Sequence, residues 1–184
     1  PNINILLLEK EKNIALINSS RNTEVIHAGI YYKKDSMKSL FCKEGKYKIY
    51  KFCEKYKIKS KKTGKLFIDQ STNSLENLEI IKKQAQLNGL DDLFFINKKN
   101  LKEIEPNLRA NLALCSPSSG IFDTYDFVNK LEAISLDNNV TIVNNCIFAN
   151  AKREEKYWKI YTNHEKNNFL KTKILINSAG LNSL

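Results

Sequence analysis

Arginine, histidine and paired cysteines are scarce in this sequence, a glycine-rich phosphate loop is missing from it, and each shortage narrows what the chain can do. Arginine occurs only at Arg21, Arg109 and Arg153, so the formal net charge of +10, from 30 Lys+Arg against 20 Asp+Glu, is carried almost entirely by lysine. Nucleic-acid readers favour arginine for bidentate contacts. No finger, RRM or KH signature is present and the lysines are spread along the chain, so no nucleic-acid partner is expected. The charge remains compatible with a mild pull on a dicarboxylate. His27 and His164 are the only histidines, too few and too far apart for a zinc pattern, and no metal is expected. Cys42, Cys53, Cys115 and Cys146 form no C-x-x-C pair and read as reduced, mostly buried thiols. No stretch approaches the roughly 18–20 apolar residues of a membrane span, and no signal peptide is visible.

What the chain does contain is enough apolar material for one or two modest cores: 184 residues, 42% of them hydrophobic. Ile3 to Leu8 is a short continuous apolar run, the pattern of a strand buried on both faces of a parallel sheet. Ser36 to Tyr56 carries apolar residues at near-helical spacing with lysines between them and reads as an amphipathic helix. Gly64 to Ile68 reads as a strand, and Ser74 to Leu87 as a helix stopped by Asn88-Gly89. A second short helix fits Asn97 to Ile104, capped at Asn97 or Asn100 and ended before Glu105-Pro106. Leu112 to Cys115 should be a strand, Ser116 to Gly120 a turn-rich loop, and Asp123 or Thr124 the cap of a helix through Leu136. Val140 to Val143, Cys146 to Ala149, Tyr157 to Tyr161 and Phe169 to Thr172 look like the four strands of a small antiparallel meander. Lys173 to Asn177 looks like a second sheet-core strand, expected beside the first. Pro1 is not an initiator methionine and both ends fall abruptly next to strand-like runs, so a fragment of a longer chain is expected.

Glu9 closes the first apolar strand, where dinucleotide-binding folds place a carboxylate to accept hydrogen bonds from ribose hydroxyls. Any charged residue leaving a sheet can occupy the same place, and the G-x-G-x-x-G loop that should precede such a strand is absent. His27 is a residue type that titrates near neutrality and suits a general base, though it can equally pack or bond to backbone. Arg21, Lys65, Tyr31 and Tyr32 are donors that an anion needs in a partly dry pocket; rim aromatics, a solvated lysine and a structural arginine explain them as well.

The stretch Ser19-Ser20-Arg21-Asn22-Thr23-Glu24-Val25-Ile26-His27-Ala28-Gly29-Ile30-Tyr31-Tyr32 resembles the segment beside the flavin ring in the D-amino-acid-oxidase-like superfamily of FAD-dependent oxidoreductases. Its His-Ala-Gly-Ile-Tyr-Tyr continuation is closer to the L-2-hydroxyglutarate dehydrogenases and oxidases than to the glycerol-3-phosphate dehydrogenases. Leu7-Leu8-Glu9-Lys10-Glu11, Thr63-Gly64-Lys65-Leu66, Glu105-Pro106-Asn107, Ser116-Pro117-Ser118-Ser119-Gly120-Ile121 and Ile176-Asn177-Ser178-Ala179-Gly180-Leu181 resemble that family in the same order. The resemblance implies a mixed α/β (α+β) fold: a truncated Rossmann-like FAD-binding domain from residues 1–58 and 120–184, a substrate-binding domain inserted at 59–119, and a small antiparallel meander. It further implies FAD contacts at Glu9, Ser19, Ser20, Arg21, His27, Ala28, Gly29, Ile147, Ala179 and Gly180. His27 becomes the base or a flavin-positioning group, and Tyr31, Tyr32 and Lys65 the substrate contacts. Gly29, lacking a side chain, would let backbone or substrate come close to the ring. The implied reaction is oxidation of a small 2-hydroxy acid, with glycerol 3-phosphate or an amino acid as alternative substrates and a non-catalytic basic binding module as the rival class. Oxygen, a quinone or a carrier would take the electrons. The full-length enzyme would be cytoplasmic or peripheral to the inner face of a membrane, and the fragment alone would hold FAD poorly and turn over little.

Overall fold

The computed structural model describes residues 3–164 and 168–183. Pro1 and Leu184, on which the reading of a fragment partly rests, lie outside the described residues, as does the 165–167 stretch of the meander's last connection. In chain order the elements are β1 (Ile5–Leu8), β2 (Val25–Ile26), α1 (Met37–Tyr56), β3 (Ser60–Lys61), β4 (Lys65–Ile68), α2 (Ser74–Leu87), β5 (Phe94–Asn97) and α3 (Lys98–Ile104), followed by β6 (Leu112–Ser116), β7 (Gly120–Phe122), α4 (Thr124–Asp137), β8 (Val140–Val143), β9 (Phe148–Arg153), β10 (Trp158–Thr162) and β11 (Leu170–Thr172). They fall into two compact units, Thr23–Asp126 and the pair of segments Pro1–Asn22 and Phe127–Leu184. This is a division by packing, and does not speak to which residues bind substrate.

The Thr23–Asp126 unit is organised by the antiparallel sheet β4-β6-β5. Successive side chains of a strand point to opposite faces, and these three strands sort accordingly. Phe67, Phe95, Leu112 and Leu114 go to one face with Leu78 and Ala85 of α2, while Leu66, Ile96, Ala113 and Cys115 go to the other with Leu101 of α3. Both faces of β6 are therefore covered, and Ala113 and Leu114 are fully buried. Helix α1 starts where Ser36 Oγ accepts the Ser39 N–H at 3.2 Å and stops at Lys57 in a left-handed conformation (φ 58°). Its apolar stripe is only partly covered: Cys53 is buried, but Phe41 and Tyr47 are each 60% exposed. A second antiparallel sheet, β2-β7-β3, ties the start of this unit to its end by pairing Ile26 with Gly120 and Lys61 with Ile121.

In the other unit β1 runs parallel to β8, Ile5 opposite Val140 and Leu8 opposite Val143. Three expectations are corrected in this unit. Val140–Val143 is a partner of the first strand and not part of the meander, which consists of β11-β10-β9. Residues 173–177 form no strand, and Ile174 and Ile176 stand 74% and 78% exposed. A parallel run is held only by hydrogen bonds to a neighbour, and the strand hydrogen-bonded to β1 is β8. Nor is β1 buried on both faces, for Ile5 and Leu6 are 51% and 44% exposed. All four cysteines are free thiols, with Cys53 and Cys146 buried. No helix among the described residues is long and apolar enough to cross a membrane.

Two substitutions test the packing. A Cβ at Gly120 would run into the Lys61 carbonyl oxygen and the Tyr50 hydroxyl, so Gly120→Ala should lower stability by about 1–3 kcal/mol through overpacking. Leu114→Ala, which opens a cavity between the sheet and α2, should cost about 2–5 kcal/mol. Denaturant midpoints at constant slope measure both, and a neutral Leu114→Ala would mean that this face of the sheet is not the core.

Candidate active site

The loop after β2 is anchored by alternate residues. Ala28 and Ile30 are each 3% exposed and belong to the apolar cluster of Leu78, Ala85 and Leu114. With those two side chains held inside, His27 and Tyr31 stand at the surface, Tyr31 48% exposed. Gly29 between them is buried, with φ +87°, a conformation that favours glycine; a Cβ there would lie 3.3 Å from both Cys42 Cβ and the Ser39 carbonyl oxygen. The room that Gly29 leaves is thus taken up by α1, which rests against the loop.

Lys65 reaches the same place from β4. Gly64, at φ +74°, donates its N–H to the Ser119 carbonyl at 3.0 Å, and Lys65 then pairs with Ser116 of β6. The Lys65 ammonium lies 5.4 Å from the Tyr31 ring centroid and 4.8 Å from that of Phe67. The two rings meet edge to face at 6.3 Å, and Tyr31 stacks obliquely on Tyr32 at 5.1 Å. An ammonium over aromatic faces is attracted by the ring quadrupoles, so the lysine has a seat. Beneath it Ser116 and Ser119, almost fully buried, satisfy one another through hydroxyls 3.0 Å apart.

His27, Gly29, Tyr31, Tyr32, Lys65 and Ser119 line one narrow cleft whose enclosed space is about 10 Å³, room for about one water. His27 also borders an open apolar groove of about 430 Å³ between β2 and α1, lined by Met37, Phe41 and Ile49. Partial burial first, and the Lys65 ammonium second, lower the His27 pKa below the ordinary imidazole value. His27 is exposed overall, so both effects are those of a partly solvated ring. Burial, reinforced by the neighbouring Cys42 and Tyr31, pushes the Tyr32 phenol up. Burial likewise raises the Cys42 thiol.

The structure therefore gathers His27, Ala28, Gly29, Tyr31, Tyr32 and Lys65 around one cleft. Glu9, Ser19, Ser20, Arg21, Ile147, Ala179 and Gly180 belong to the other unit. There, half-buried Glu9 ends β1 and accepts the Glu11 N–H at Oε1, 2.9 Å away. Ser19 to Asn22 form a turn bonded to itself, with Asn22 Nδ2 on the Ser19 carbonyl at 2.7 Å. Ile147 precedes β9; its N–H donates to Asn163 Oδ1 at 2.7 Å and its carbonyl accepts the Asn163 N–H at 3.0 Å. Its carbonyl can still accept one more bond. Gly180 has φ +58° and opens a short 3-10 turn, Ala179 preceding it. Phe67, Ser119, Gln84 and Asn88 were not legible as site residues. Phe67 is an apolar strand residue like any other, and Asn88 carries the signature of a helix end.

Comparison with known proteins gives the family and the fold. Residues 2–184 match the family model described as "DAO: FAD dependent oxidoreductase". The chain is 33% identical to the mitochondrial L-2-hydroxyglutarate dehydrogenase of Arabidopsis thaliana over 85% of its length, and 42% identical to that of Caenorhabditis briggsae over 71%. It spans about a third of those relatives, 36% and 30% of their lengths. Among solved structures it superposes on the FAD-bound L-alpha-glycerophosphate oxidase of Mycoplasma pneumoniae with TM-score 0.85 at 23% identity, covering 94% of this chain and 47% of that one. The L-proline dehydrogenase from P. horikoshii follows with TM-score 0.76 at 15% identity, 93% and 51% covered; at these identities the likeness is one of fold. With the model spanning nearly every residue, the chain belongs to the DAO family of FAD-dependent oxidoreductases.

Proposed function

We propose that this chain is part of an FAD-dependent dehydrogenase that oxidises a small 2-hydroxy acid, with L-2-hydroxyglutarate to 2-oxoglutarate as the reaction. The observation that carries the reading is the convergence of His27, Tyr31, Tyr32 and Lys65 on one cleft. It is supported by relatives at 33–42% identity that are named L-2-hydroxyglutarate dehydrogenases. The residues suit the cofactor: Glu9 as acceptor for ribose hydroxyls at the end of a parallel strand, Ser19, Ser20 and Arg21 as donors, Ala28 and Gly29 as backbone contacts, the small Ala179 and Gly180 for close approach, and the Ile147 carbonyl for the adenine. Residues 59–119, which include Lys65, would contribute to substrate binding.

When bound, FAD supplies the hydride acceptor, its N5. The protein's share is the proton and the anion. Oxidising a secondary alcohol to a ketone removes a hydride from carbon and a proton from oxygen, and an unprotonated nitrogen of His27 takes that proton. The depressed His27 pKa keeps the ring unprotonated at neutral pH, the form a base needs. Lys65 and the Tyr31 and Tyr32 hydroxyls hold substrate carboxylate by charge-assisted bonds. The same ammonium that attracts the substrate disfavours a second positive charge on His27.

Anaerobic bleaching of the flavin in full-length protein by a panel of acids is the direct test. L-2-hydroxyglutarate should bleach it, and bleaching only by glycerol 3-phosphate or an amino acid would move the substrate elsewhere in the family. His27→Asn should lower kcat/KM by about 10²- to 10⁴-fold. In the wild type kcat/KM should rise with pH through a midpoint below the roughly 6.5 of ordinary imidazole and then level off. Lys65→Met should raise KM by about 10- to 100-fold for the loss of a charge-assisted bond. It should also move the acidic limb upward, though not fully to the ordinary value, because burial remains. An unchanged KM in that variant would remove Lys65 from the substrate site.

A further inference from the structure

Helix α2 ends at Asn88, whose backbone N–H is used up by the helix, bonded to the Gln84 and Ala85 carbonyls, while Gly89 in a left-handed conformation and Leu90, which donates to Ala85, complete the stop. Nothing in that ending requires an asparagine side chain. Yet the side chain is buried, the residue being 8% exposed, and its Nδ2 faces the loop of the candidate site. It donates to the Gly29 carbonyl at 2.9 Å and the Tyr32 carbonyl at 2.8 Å, with the Ile30 carbonyl at a longer 3.4 Å. Two amide hydrogens serve two good bonds and one shared contact. The reverse amide orientation would set an oxygen against three carbonyls. Gln84, one turn earlier on the same helix, adds Nε2 to the Tyr32 carbonyl at 2.8 Å. The Asn88 Oδ1 is buried without a partner among the described residues, so the side chain is held where it is by what its nitrogen does for the loop.

Resting on the functional reading above, we propose that Asn88 is a positioning residue of the site: its carboxamide, clamped on the carbonyls of Gly29 and Tyr32, fixes the loop segment from which His27, Tyr31 and Tyr32 project. The side chains that face the cleft are attached to backbone on either side of the clamped carbonyls, and the loop has no strand pairing beyond Ile26. Burial of Ala28 and Ile30 sets the depth of the loop. The carboxamide sets its peptide-plane orientation. A loop freed from the clamp would keep its apolar anchors and lose the aim of its polar side chains, and misplacement of reacting groups by about 1 Å costs on the order of 100-fold in rate.

The test uses the full-length, FAD-loaded protein with Asn88→Ala, Asn88→Asp and Gln84→Ala. An aspartate is acceptor-only when ionised and repels the three carbonyls, whereas its protonated form can donate one bond; burial among carbonyls raises its pKa into a measurable range. Asn88→Ala and Asn88→Asp should both lower kcat about tenfold or more at neutral pH, with a smaller change in KM, and Gln84→Ala should show a milder deficit of the same kind. The variant-to-wild-type ratio should climb as pH falls for Asn88→Asp and stay flat for Asn88→Ala, a difference that loss of packing alone does not produce. Hydrogen exchange over residues 26–33, each variant measured against wild type at the same pH, should follow the same pattern. Should wild-type protein fail to oxidise any 2-hydroxy acid, the functional reading falls, and a pH-independent exchange ratio for Asn88→Asp would then overturn the clamp by itself. Folded Asn88 variants with wild-type kcat, or an aspartate deficit as flat in pH as that of alanine, would overturn it as well; if neither Asn88 variant folds, an unaltered Gln84→Ala decides against it.

Discussion

The insertion of Ala28 and Ile30 into the cluster of Leu78, Ala85 and Leu114 is the contact on which the candidate site depends. Two small to medium apolar side chains are held between a sheet face and a helix, which leaves His27 and Tyr31 at the surface while Gly29 stays buried against α1. The same cluster contains Phe67 at its margin, so the ring that seats the Lys65 ammonium is fixed by the packing that fixes the loop. Apolar burial, which is non-directional, here acquires direction because the sheet supplying the core has strict alternation.

Electrostatics then acts on groups that packing has already placed. Lys65 is poised over Tyr31 and Phe67 by cation–π attraction and lies close enough to His27 to disfavour its protonation. On the proposed function, a cation that attracts an anionic substrate and an imidazole that must stay neutral would be served by the same charge. Burial raises the Tyr32 phenol above its already high ordinary value, so a phenol hydroxyl, an ammonium and an imidazole stand around one cleft.

Helices and most strands were legible because they rest on local signals. The near-helical spacing of Ser36 to Tyr56, Asn88-Gly89 as stop and the apolar run of Leu112 to Cys115 are local patterns. The short strands β2, β3, β5 and β7 were not, since two to four residues paired across long separations leave no periodicity to read. The misassigned Val140–Val143 shows the same limit from the other side. Its residues specify a strand, but only the pairing with β1 makes it parallel and takes it out of the meander. The apolar run at 173–177 was read as a strand because composition speaks of propensity, while a strand exists only beside a neighbour.

The histidine, the two tyrosines and the lysine could be picked out as candidate polar groups from residue chemistry, and the order of the motifs placed the chain near its family. That Lys65, 38 positions after His27 in the sequence, shares its cleft, that Phe67 seats it, and that Asn88 grips the loop from the end of α2 were decided only by the tertiary structure. Sequence fixes what each side chain can donate, accept or bury; which of them meet is set by strand pairing and helix packing over distances along the chain that no local pattern encodes.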